Sequence, residues 1–453
     1  MCRLTARTTV THENTPDLTK VVRVHGSLNL ALRLLSFLLS FVVVRLSLAI
    51  LGDYRYGIWS VLLSMLSWVS MMDVGVVHGV RNELAQAFQN RDRHRASRAI
   101  STAYVILVAL MLFAFLLILL FDRSADWNRV IGAKELPSIE VRLSALLFWA
   151  FLCSLLPLSV VNAIAYGRQM AAVPAVIQLV TQGVFAGVLF YWSVSKTEVA
   201  LPLITGAYAI ASLSVLFFAT LWFLATGSEL RPRIRYYDHQ TAQRLFSLGG
   251  QFFVIQLATI VIFTTDNLIV SHLLGPRSVT VYAVNHKLFS TVHLLFGMLL
   301  APLWSAFTAA HTKGDWLWIK QRLSNLVRLF FAAVGGLLAI SVLRYRFLDL
   351  WLTESVESPL SLAFSMVLMF GIMIWNNIFA TYVNGISRLR VQLVTATVGA
   401  ILNIPLSILF VRFFDLGVAG VAIATCVSLL PSAVWMTRDA LSDLANSHAS
   451  TAS

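Results

Sequence analysis

The chain has 453 residues, of which 58% are hydrophobic and only 12% are charged, and its mean hydropathy is +0.78. Soluble globular proteins carry charge on about 25% of their residues, so this composition excludes that class. The formal net charge of +13 indicates basic loops that set membrane topology and attract anionic headgroups, and not a nucleic-acid surface.

Apolar runs long enough to cross a bilayer as a helix recur throughout the sequence. No run alternates apolar and polar residues with a period of two, which excludes a transmembrane β-barrel. The sequence therefore predicts an all-α polytopic membrane protein with about twelve spans, at 27–50, 57–78, 99–121, 143–165, 173–194, 201–225, 247–273, 279–303, 323–343, 359–382, 391–412 and 416–437.

The lysines and arginines indicate how the spans are oriented. With a cytoplasmic N-terminus, 20 of the 34 basic residues fall in inner segments and 10 in outer segments, which agrees with the positive-inside rule. Residues 1–26 contain acidic side chains and lead directly into the first span, so we expect no cleavable signal peptide. Both termini are predicted to be cytoplasmic.

The first span contains Arg33 and Arg45, although a guanidinium in hydrocarbon is costly. Helical geometry places the two side chains about 120° apart and about 18 Å apart along the axis. Arg33 shares a face with Ser36, Ser40 and Ser47. That face is suited to a wet cleft, in which the guanidinium binds a diphosphate or an acidic sugar. Arg45 is a second candidate substrate ligand. Snorkelling to the nearer headgroup layer is the alternative for both arginines.

Asp73 lies beside Gly75 at the inner end of the second predicted span. It can cap that helix end or pair with Arg81. We therefore assign Asp73 and Arg81 a gating or structural role and not substrate binding.

Two stretches of the second half align with the first half at nearly one offset. The matches pair "LGDYRYGIWSVLLSMLS" (51–67) with "LGPRSVTVYAVNHKLFS" (274–290), and "NAIAYGR" (162–168) with "NGISRLR" (384–390). Gly52 then corresponds to Gly275, and Asn162 corresponds to Asn384. An even number of helices in each half gives parallel repeats, related by a pseudo-two-fold axis along the membrane normal. The predicted domains are a cytoplasmic segment (1–26), an N-lobe (27–225), a basic linker (226–246), a C-lobe (247–437) and a cytoplasmic tail (438–453).

Asp266 is the one acid deep in a predicted span, and carboxylates at such a depth are mostly functional. The repeat places it at nearly the depth of Arg45, so the two side chains can pair if the first and seventh helices face each other. Alternatively, Asp266 binds a coupling proton or sodium ion.

The eighth span carries a face with members at helical spacing, which are Tyr282, His286, Ser290, His293 and Gly297. We assign His286 and His293 to ion coupling as a proton relay; interhelical hydrogen bonding is the alternative. Lys287 lies about 100° round the helix from His286 and is a candidate phosphate ligand.

Asn377, Thr381 and Asn384 share a face of the tenth span. Amide hydrogen bonds between helices are the ordinary role of such residues, and we assign this role to Asn162. Binding of sugar hydroxyls is the alternative, for which Asn377 and Asn384 are the candidates.

The second and third spans carry the most diagnostic motifs. These are Leu51-Gly52, Tyr56-Gly57-Ile58-Trp59, Asp73 with Gly75, Gly79 with Asn82, and Ser101-Thr102-Ala103. Together with "TTDNLIVSHLLGPRSVTVYAV" (264–284), they resemble the bacterial oligosaccharide flippases of the Wzx type. These form the polysaccharide-exporter branch of the superfamily that also holds the MATE drug exporters and the lipid II flippases.

The resemblance covers the whole chain and implies two six-helix lobes arranged as a V, with the first and seventh helices lining a central cavity. It implies movement of an undecaprenyl-diphosphate-linked oligosaccharide across the bacterial cytoplasmic membrane, for O-antigen, capsule or exopolysaccharide assembly. The protein partners it implies are a polysaccharide polymerase and chain-length proteins.

Two other functions are weighed against this one. A MATE-like exporter of organic cations should have acids in its cavity, whereas this sequence has one deep acid and several buried bases. A polysaccharide polymerase or ligase needs a large outer loop with a catalytic Arg or His, but the longest outer loop, 122–142, has no histidine. The phosphate-binding motif GxxxxGK is absent. We therefore predict a transporter without a cofactor or a bound metal, driven by an ion gradient or by downstream polymerisation.

Overall fold

The computed structural model describes residues 18–68, 76–170, 172–227, 230–300, 303–386, 388 and 390–451. Across these ranges the chain forms fifteen α-helices and no strand, so the predicted all-α class is confirmed. The helices are α1 (Leu18–Ser64), α2 (Val76–Gln89), α3 (Arg93–Asp122), α4 (Trp127–Ile131), α5 (Ser138–Leu158), α6 (Val160–Gly167), α7 (Ala172–Ser195), α8 (Leu201–Thr226), α9 (His239–Leu274), α10 (Pro276–Leu300), α11 (Leu303–Lys313), α12 (Trp316–Trp351), α13 (Leu360–Gly385), α14 (Arg390–Arg412) and α15 (Gly417–Thr451).

Within the described ranges, nine helical stretches are long and apolar enough to cross a membrane. They are Leu28–Ser64, Arg93–Asp122, Ser138–Gly167, Ala172–Ser195, Leu201–Thr226, Trp316–Trp351, Leu360–Gly385, Arg390–Arg412 and Gly417–Ala445. The chain is thus a multi-pass helical membrane protein.

Three predicted spans are not among these nine. The second, 57–78, runs from the end of α1 through residues outside the described ranges into α2. The seventh lies in α9, where Ile260–Leu274 is a shorter apolar stretch. The eighth lies in α10, whose apolar sequence is interrupted by three consecutive polar residues. The number twelve and the pseudo-two-fold symmetry therefore stay predictions.

Gly52 interrupts α1 with a φ of 68° and a ψ of 175°. The equivalent residue in the second half, Gly275, separates α9 from α10 with a φ of 90° and a ψ of 163°. A positive φ is cheap only for glycine, so each glycine lets one helix end and the next begin without an intervening loop. The shared conformation supports the internal repeat at this position.

Contacts between helices divide the molecule into two groups. Helices α1–α8 pack mainly on one another, and so do α9–α15; we call these groups the N-terminal bundle and the C-terminal bundle. The two bundles meet where α1 contacts α10 and where α2 and α3 contact α9. The border between the two bundles is therefore formed by α1, α2, α3, α9 and α10, and we call it the candidate cleft.

Trp59 is the centre of packing in the N-terminal bundle and is 1% exposed. Its ring lies 6.4 Å from the rings of Phe148 and Phe185 and 5.5 Å from that of Tyr208, measured between centroids. Aromatic contacts of this geometry add about 0.5–1.5 kcal/mol each beyond the burial of their area. The Tyr-Gly-Ile-Trp motif thus fixes the end of α1 in the core of its bundle.

Gly57, in the same motif, allows the two bundles to touch. A Cβ atom at this position would lie 1.9 Å from the carbonyl oxygen of Pro276, the first residue of α10. Only glycine is compatible with so close an approach of backbone to backbone. The motif therefore serves two purposes, since Trp59 anchors α1 and Gly57 provides the contact surface for α10.

Candidate substrate cleft and ion site

Arg33 and Arg81 converge on one tyrosine at the border of the N-terminal bundle. The Nη2 atom of Arg33 lies 3.5 Å from the hydroxyl of Tyr166, and its Nε atom donates to Asn29 at 3.2 Å. The guanidinium carbon of Arg81 lies 4.6 Å from the centroid of the Tyr166 ring. Both arginines are exposed, and neither forms an ion pair with a carboxylate of the described residues. Two unneutralised guanidiniums from α1 and α2 therefore flank a phenol of α6.

The sequence pattern did not predict this arrangement. It indicated a gating or structural role for Arg81, and it did not point to Tyr166. The "NAIAYGR" motif that contains Tyr166 was a signal in the sequence. Asp73, the other residue assigned to gating near Arg81, lies outside the described ranges.

The serines on the Arg33 face do not line a wet surface. Ser36 and Ser47 are each 1% exposed, and the Ser36 hydroxyl donates to the carbonyl oxygen of Leu32 at 2.9 Å. Ser40 likewise donates to the carbonyl oxygen of Phe37. Ser36 and Ser40 are thus satisfied by carbonyls of their own helix, whereas the buried Ser47 hydroxyl has no hydrogen-bond partner among the described residues. The expectation of a solvated serine stripe is therefore wrong for Ser36 and Ser47, although Arg33 itself is exposed.

Lys287 of α10 faces α1 across the junction of the two bundles. Its Nζ atom lies 4.4 Å from the centroid of the Phe37 ring and 5.3 Å from that of Phe41. Trp351 of α12 donates its indole N–H to the carbonyl oxygen of Phe41 at 2.9 Å. In this conformation the ammonium is stabilised by aromatic faces. Phe37, the nearer ring, lies about one helical turn after Arg33 on α1.

Asp266 does not pair with Arg45, so that expectation is wrong. Asp266 is 3% exposed, and its Oδ2 atom accepts a hydrogen bond from the Tyr282 hydroxyl at 2.6 Å. The Thr425 hydroxyl lies 3.3 Å from the same oxygen. Arg45 is exposed on α1, whereas the carboxylate points into the C-terminal bundle, towards α10 and α15.

Oxygen-bearing side chains from three other helices, α10, α14 and α15, form a connected cluster with Asp266. The Nδ2 atom of Asn403, on α14, donates to the Thr425 hydroxyl at 3.0 Å, and that hydroxyl also lies 3.3 Å from the carbonyl oxygen of Val421. Asp266 Oδ1 and Asn403 Oδ1 are buried without a hydrogen-bond partner. Buried polar atoms are nearly always satisfied. A cluster that lacks donors for two acceptor oxygens is therefore suited to a cation or an added proton.

The predicted polar face of α10 is turned towards α13. The ring of Phe370 lies 5.0 Å from that of His286 and 6.0 Å from that of His293, measured between centroids. His286 in turn lies 5.9 Å from the ring of Tyr282, the partner of Asp266. Because Phe370 stands between the histidines and can pass no proton, the two rings do not form a continuous hydrogen-bonded relay.

His293 and Asn377 meet at a cavity in the C-terminal bundle. The Nε2 atom of His293 lies 2.9 Å from Asn377 Nδ2. The cavity has a volume of about 360 Å³. Its polar lining residues are His293, Asn376, Asn377, Gln392, Thr395, Ser428 and Ser432. Ile262, one turn before Asp266, also lines the cavity. The cavity therefore lies next to the oxygen cluster around Asp266.

Asn384 is not part of this cavity lining. Its Oδ1 atom is buried without a partner, and the same is true of Asn162 Oδ1 at the corresponding position of the first half. The two asparagines therefore share a similar environment, as the repeat predicts. No contact brings Asn384 together with Asn377 and His293.

Charged residues that the sequence pattern did not indicate join the two bundles next to Gly52 and Gly275. The guanidinium of Arg277 lies 3.4 Å from Asp53 and 3.0 Å from Glu135, measured between nitrogen and carboxylate oxygen. It also lies 5.4 Å from the ring centroid of Tyr54, whose hydroxyl accepts the backbone N–H of Glu135 at 2.8 Å. Arg277 belongs to α10 and its partners belong to the N-terminal bundle. These contacts therefore join the two bundles.

Sequence comparison gives relatives over most of the chain, although no family model matches it. A protein from Salmonella typhimurium named "Putative O-antigen transporter" is 21% identical over 405 residues, covering 86% of this chain and 89% of that protein. A protein of the same name from Shigella flexneri is 22% identical over 402 residues, covering 85% and 90% of the two chains. The resemblance inferred from the motifs is thus confirmed.

Solved structures have the same fold. A multidrug resistance MATE family transporter of the MOP superfamily, in its inward-facing conformation, matches with a TM-score of 0.76 at 14% identity, covering 93% of this chain and 99% of that chain. The outward-facing conformation of such a transporter gives a TM-score of 0.64 at 14% identity, covering 96% and 100%. The chain is therefore a multi-pass membrane protein with the MATE-like transporter fold, similar over most of its length to proteins named as O-antigen transporters.

Proposed function

We propose that the chain is a flippase that moves an undecaprenyl-diphosphate-linked oligosaccharide across the bacterial inner membrane. The observation that carries this proposal is the pair of exposed, unneutralised guanidiniums of Arg33 and Arg81 around Tyr166. A diphosphate is matched by planar guanidinium donors. The relatives named as O-antigen transporters support a glycan linked to such a lipid as the cargo.

The proposed mechanism is alternating access between the two bundles. The Arg277 contacts keep the outer end closed in this conformation, and both chain termini are cytoplasmic. The higher similarity to an inward-facing transporter supports an opening towards the cytoplasm. The diphosphate enters beside Arg33, and Lys287 becomes a further phosphate ligand when its ammonium leaves the rings of Phe37 and Phe41. Arg45 then contacts phosphate or outer headgroups near the end of the path.

We assign the sugars to the C-terminal side of the cleft. Asn377, beside His293 on the polar cavity, supplies amide groups for sugar hydroxyls. Asn384 is a second candidate, since its buried carbonyl oxygen has no partner. Asn162 keeps a structural role in the N-terminal bundle.

Transport is coupled to a proton or a sodium ion at the oxygen cluster around Asp266. Hard cations prefer oxygen ligands, and Asp266 and Asn403 each offer a buried oxygen that lacks a partner. His286 and His293 lie on the same side of α10 and modulate access to this cluster. Phe370 between them argues against direct proton transfer from one ring to the other.

A MATE-like exporter of small organic cations is the second candidate, and the fold is compatible with it. Recognition of a cation requires acidic or aromatic groups in the cleft. The aromatic rings at the described cleft border, Tyr166, Phe37 and Phe41, are already occupied by the cations Arg81 and Lys287. The charged groups there, with Arg33, are all basic and repel a cationic cargo. The charge of the cleft therefore favours an anionic cargo.

The test is a flipping assay with the full chain in proteoliposomes that contain a short undecaprenyl-diphosphate-linked oligosaccharide. Exposure of the glycan to an added glycosidase measures translocation. We expect Arg33→Ala and Arg81→Ala each to reduce the rate by 10-fold or more, since a hydrogen bond to a charged group contributes about 1.5–3 kcal/mol. Arg33→Lys should retain part of the rate, because lysine keeps the positive charge but lacks the planar, bidentate donor geometry of the guanidinium.

Arg123→Ala serves as the matched control. It removes an exposed arginine at the C-terminal end of α3, away from Arg33, Arg81 and Tyr166. Equal rates in the wild type and in both alanine variants would remove these arginines from the substrate site. Efflux of organic cations without any glycan movement would favour the second candidate.

A further inference from the structure

The segment that joins the two bundles, residues 230–238, crosses the first turns of α3. The backbone N–H of Arg233 donates to the Ser101 hydroxyl at 3.0 Å, and that of Asp238 donates to the Thr102 hydroxyl at 3.1 Å. Ser101 and Thr102 are at most 1% exposed. The part of the segment between these two anchors is therefore fixed against one face of α3.

A cavity of about 260 Å³ lies between this segment and α3, lined by His94, Ser97, Arg98 and Tyr236. Two further guanidiniums converge on it, since Arg233 and Arg235 lie 3.4 Å and 3.2 Å from the Tyr236 hydroxyl oxygen. The hydrogen bond from Arg235 and its charge lower the pKa of the Tyr236 phenol from its ordinary value.

The positive charge around this cavity exceeds the negative charge that the protein supplies there. No ion pair joins Arg98, Arg233 or Arg235 to a carboxylate in the part of the chain that the structure describes. Two nearby acids cap helices: Asp238 accepts the backbone N–H of Thr241 at 2.8 Å at the start of α9, and Asp92 accepts that of Arg95 at 2.9 Å at the start of α3. The hydrogen bonds from Thr241 and, to a smaller extent, the charge of Arg98 lower the pKa of Asp238, so this acid offsets part of the positive charge. Hydrogen-bond donors thus converge on a small cavity that has an excess of positive charge.

The cavity also lies at the ends of two helices that are candidate membrane spans. It is formed where α3 begins and by Tyr236, ten residues beyond the end of α8, and the ends of spanning helices are where a bilayer has its headgroups. Only 6% of the apolar stretch of α3 is buried within the protein. Leu112, Phe113 and Leu116 of this helix are more than half exposed, so acyl chains can lie along α3 with a headgroup at the cavity.

We propose that this cavity binds the phosphate headgroup of an anionic membrane phospholipid. The guanidiniums of Arg98, Arg233 and Arg235 donate to the phosphate oxygens, in the planar geometry that suits arginine. Basic pockets at the cytoplasmic ends of membrane helices commonly bind such headgroups. A bound lipid fixes residues 230–238 to α3. Because this segment connects the two bundles, lipid binding then affects how the bundles move relative to each other during transport.

The experiment is native mass spectrometry of the full chain, titrated with phosphatidylglycerol and, separately, with zwitterionic phosphatidylethanolamine. We expect the wild type to retain phosphatidylglycerol selectively. The double variant Arg233→Ala/Arg235→Ala should lose about 30-fold in affinity for it, as expected for two arginines at an anionic surface. Thermal unfolding in detergent alone should be unchanged, since both side chains are exposed.

The double variant Lys320→Ala/Arg322→Ala is the matched control. It removes the same charge from the start of α12, where the Arg322 guanidinium also stacks on an aromatic ring, at 5.4 Å from the centroid of Trp318. Equal losses in both variants would reduce the effect to bulk charge attraction and overturn the proposal. Retention of both phospholipids alike would overturn it as well.

Undecaprenyl phosphate is the third ligand of the titration, since it offers the same phosphate chemistry on a different lipid. Preference of the Arg233/Arg235 site for undecaprenyl phosphate over phosphatidylglycerol would assign the cavity to the cargo and refute a phospholipid site. The readout is binding and does not depend on flipping, so it stands apart from the test of the proposed function.

Discussion

Asp266 and Arg33 are both ionisable residues in predicted membrane spans, yet their surroundings differ. Arg33 is exposed at the border of the cleft, next to the hydroxyl of Tyr166. Asp266 is buried among hydroxyl and amide groups, and no arginine or lysine of the described residues pairs with it. A buried carboxylate without a partner cation is expensive. It is stable only if it is protonated or if it binds an ion.

This difference predicts the effect of Asp266→Asn. The amide keeps the size of the side chain and removes the charge that a cation would neutralise. Ligand binding to the folded state raises its stability by mass action. We therefore expect sodium ions, compared with choline at equal ionic strength, or a lower pH to raise the melting temperature of the wild type. Neither should affect the variant.

Asp443→Asn is the control for this measurement. Asp443 is also buried and bound to a tyrosine, with the Tyr382 hydroxyl at 2.6 Å, but it already has a cation partner in Arg388 at 2.9 Å. The response to sodium or to pH should survive in this variant. An unchanged response in Asp266→Asn would contradict a coupling role for Asp266.

At the scale of helices, α1 and α10 are the two elements that bring the bundles together. Each begins or resumes at a glycine with positive φ, and they touch where Gly57 meets Pro276. Longer side chains of α10, Arg277 and Lys287, also contact the N-terminal bundle. The backbone contact at Gly57 is the part of the junction that leaves no room for an added side chain.

Gly57→Ala should shift the protein away from this conformation. The added methyl group would lie 1.9 Å from the carbonyl oxygen of Pro276, and overpacking of this kind costs about 1–3 kcal/mol. That energy corresponds to a roughly 5- to 150-fold change in the equilibrium between conformations. Thr280, which is 1% exposed at this junction, gives the readout. A cysteine there, in a variant without the native cysteines, should react faster with an impermeant maleimide.

Gly206→Ala is the matched control, because no atom lies within 4 Å of the added methyl group in α8. Its labelling rate at position 280 should equal that of the parent protein. If Gly57→Ala labels no faster than Gly206→Ala, the contact with Pro276 does not hold the two bundles closed.

At the scale of the whole molecule, the sequence predicts what depends on local pattern and on periodicity. The helices, the glycines at 52 and 275 and the shared face of Tyr282, His286 and His293 are of this kind. The partners of Asp266 are not, because Thr425 is 159 residues away in the chain. Helical phase alone cannot tell which neighbouring helix a side chain faces. For that reason Arg45 was a plausible partner in the sequence and is not one in the structure.

The same limit explains why the contacts of Arg277 were missed. Asp53 and Arg277 lie just after the glycines at 52 and 275, and Glu135 lies in the connection between α4 and α5. In the sequence, charges beside such breaks resemble ordinary solvated residues. Only the packing of the two bundles shows that one guanidinium lies between two carboxylates.

The contacts of Arg277, which we assign to the outer end under the proposed topology, lead to a prediction about the balance between conformations. Arg277 and its two partners are each more than half exposed, and exposed ion pairs contribute about 0–1 kcal/mol each. Arg277→Glu replaces two attractions by two repulsions, so the population that is open to the outside should rise several-fold. Glu135→Arg added to Arg277→Glu should restore part of the closure, and raising the salt concentration should reduce both effects.

The labelling of a cysteine at position 280 measures this balance. Arg129→Glu is the control, since Arg129 pairs with Asp126 within the same helical turn, at 4.0 Å, and does not join the bundles. This variant makes the same change of charge on the same surface. If it opens the outer end as much as Arg277→Glu does, net surface charge sets the balance and the bridge does not. If only Arg277→Glu opens it and the second substitution reverses the effect, the three residues act as a latch between the two bundles.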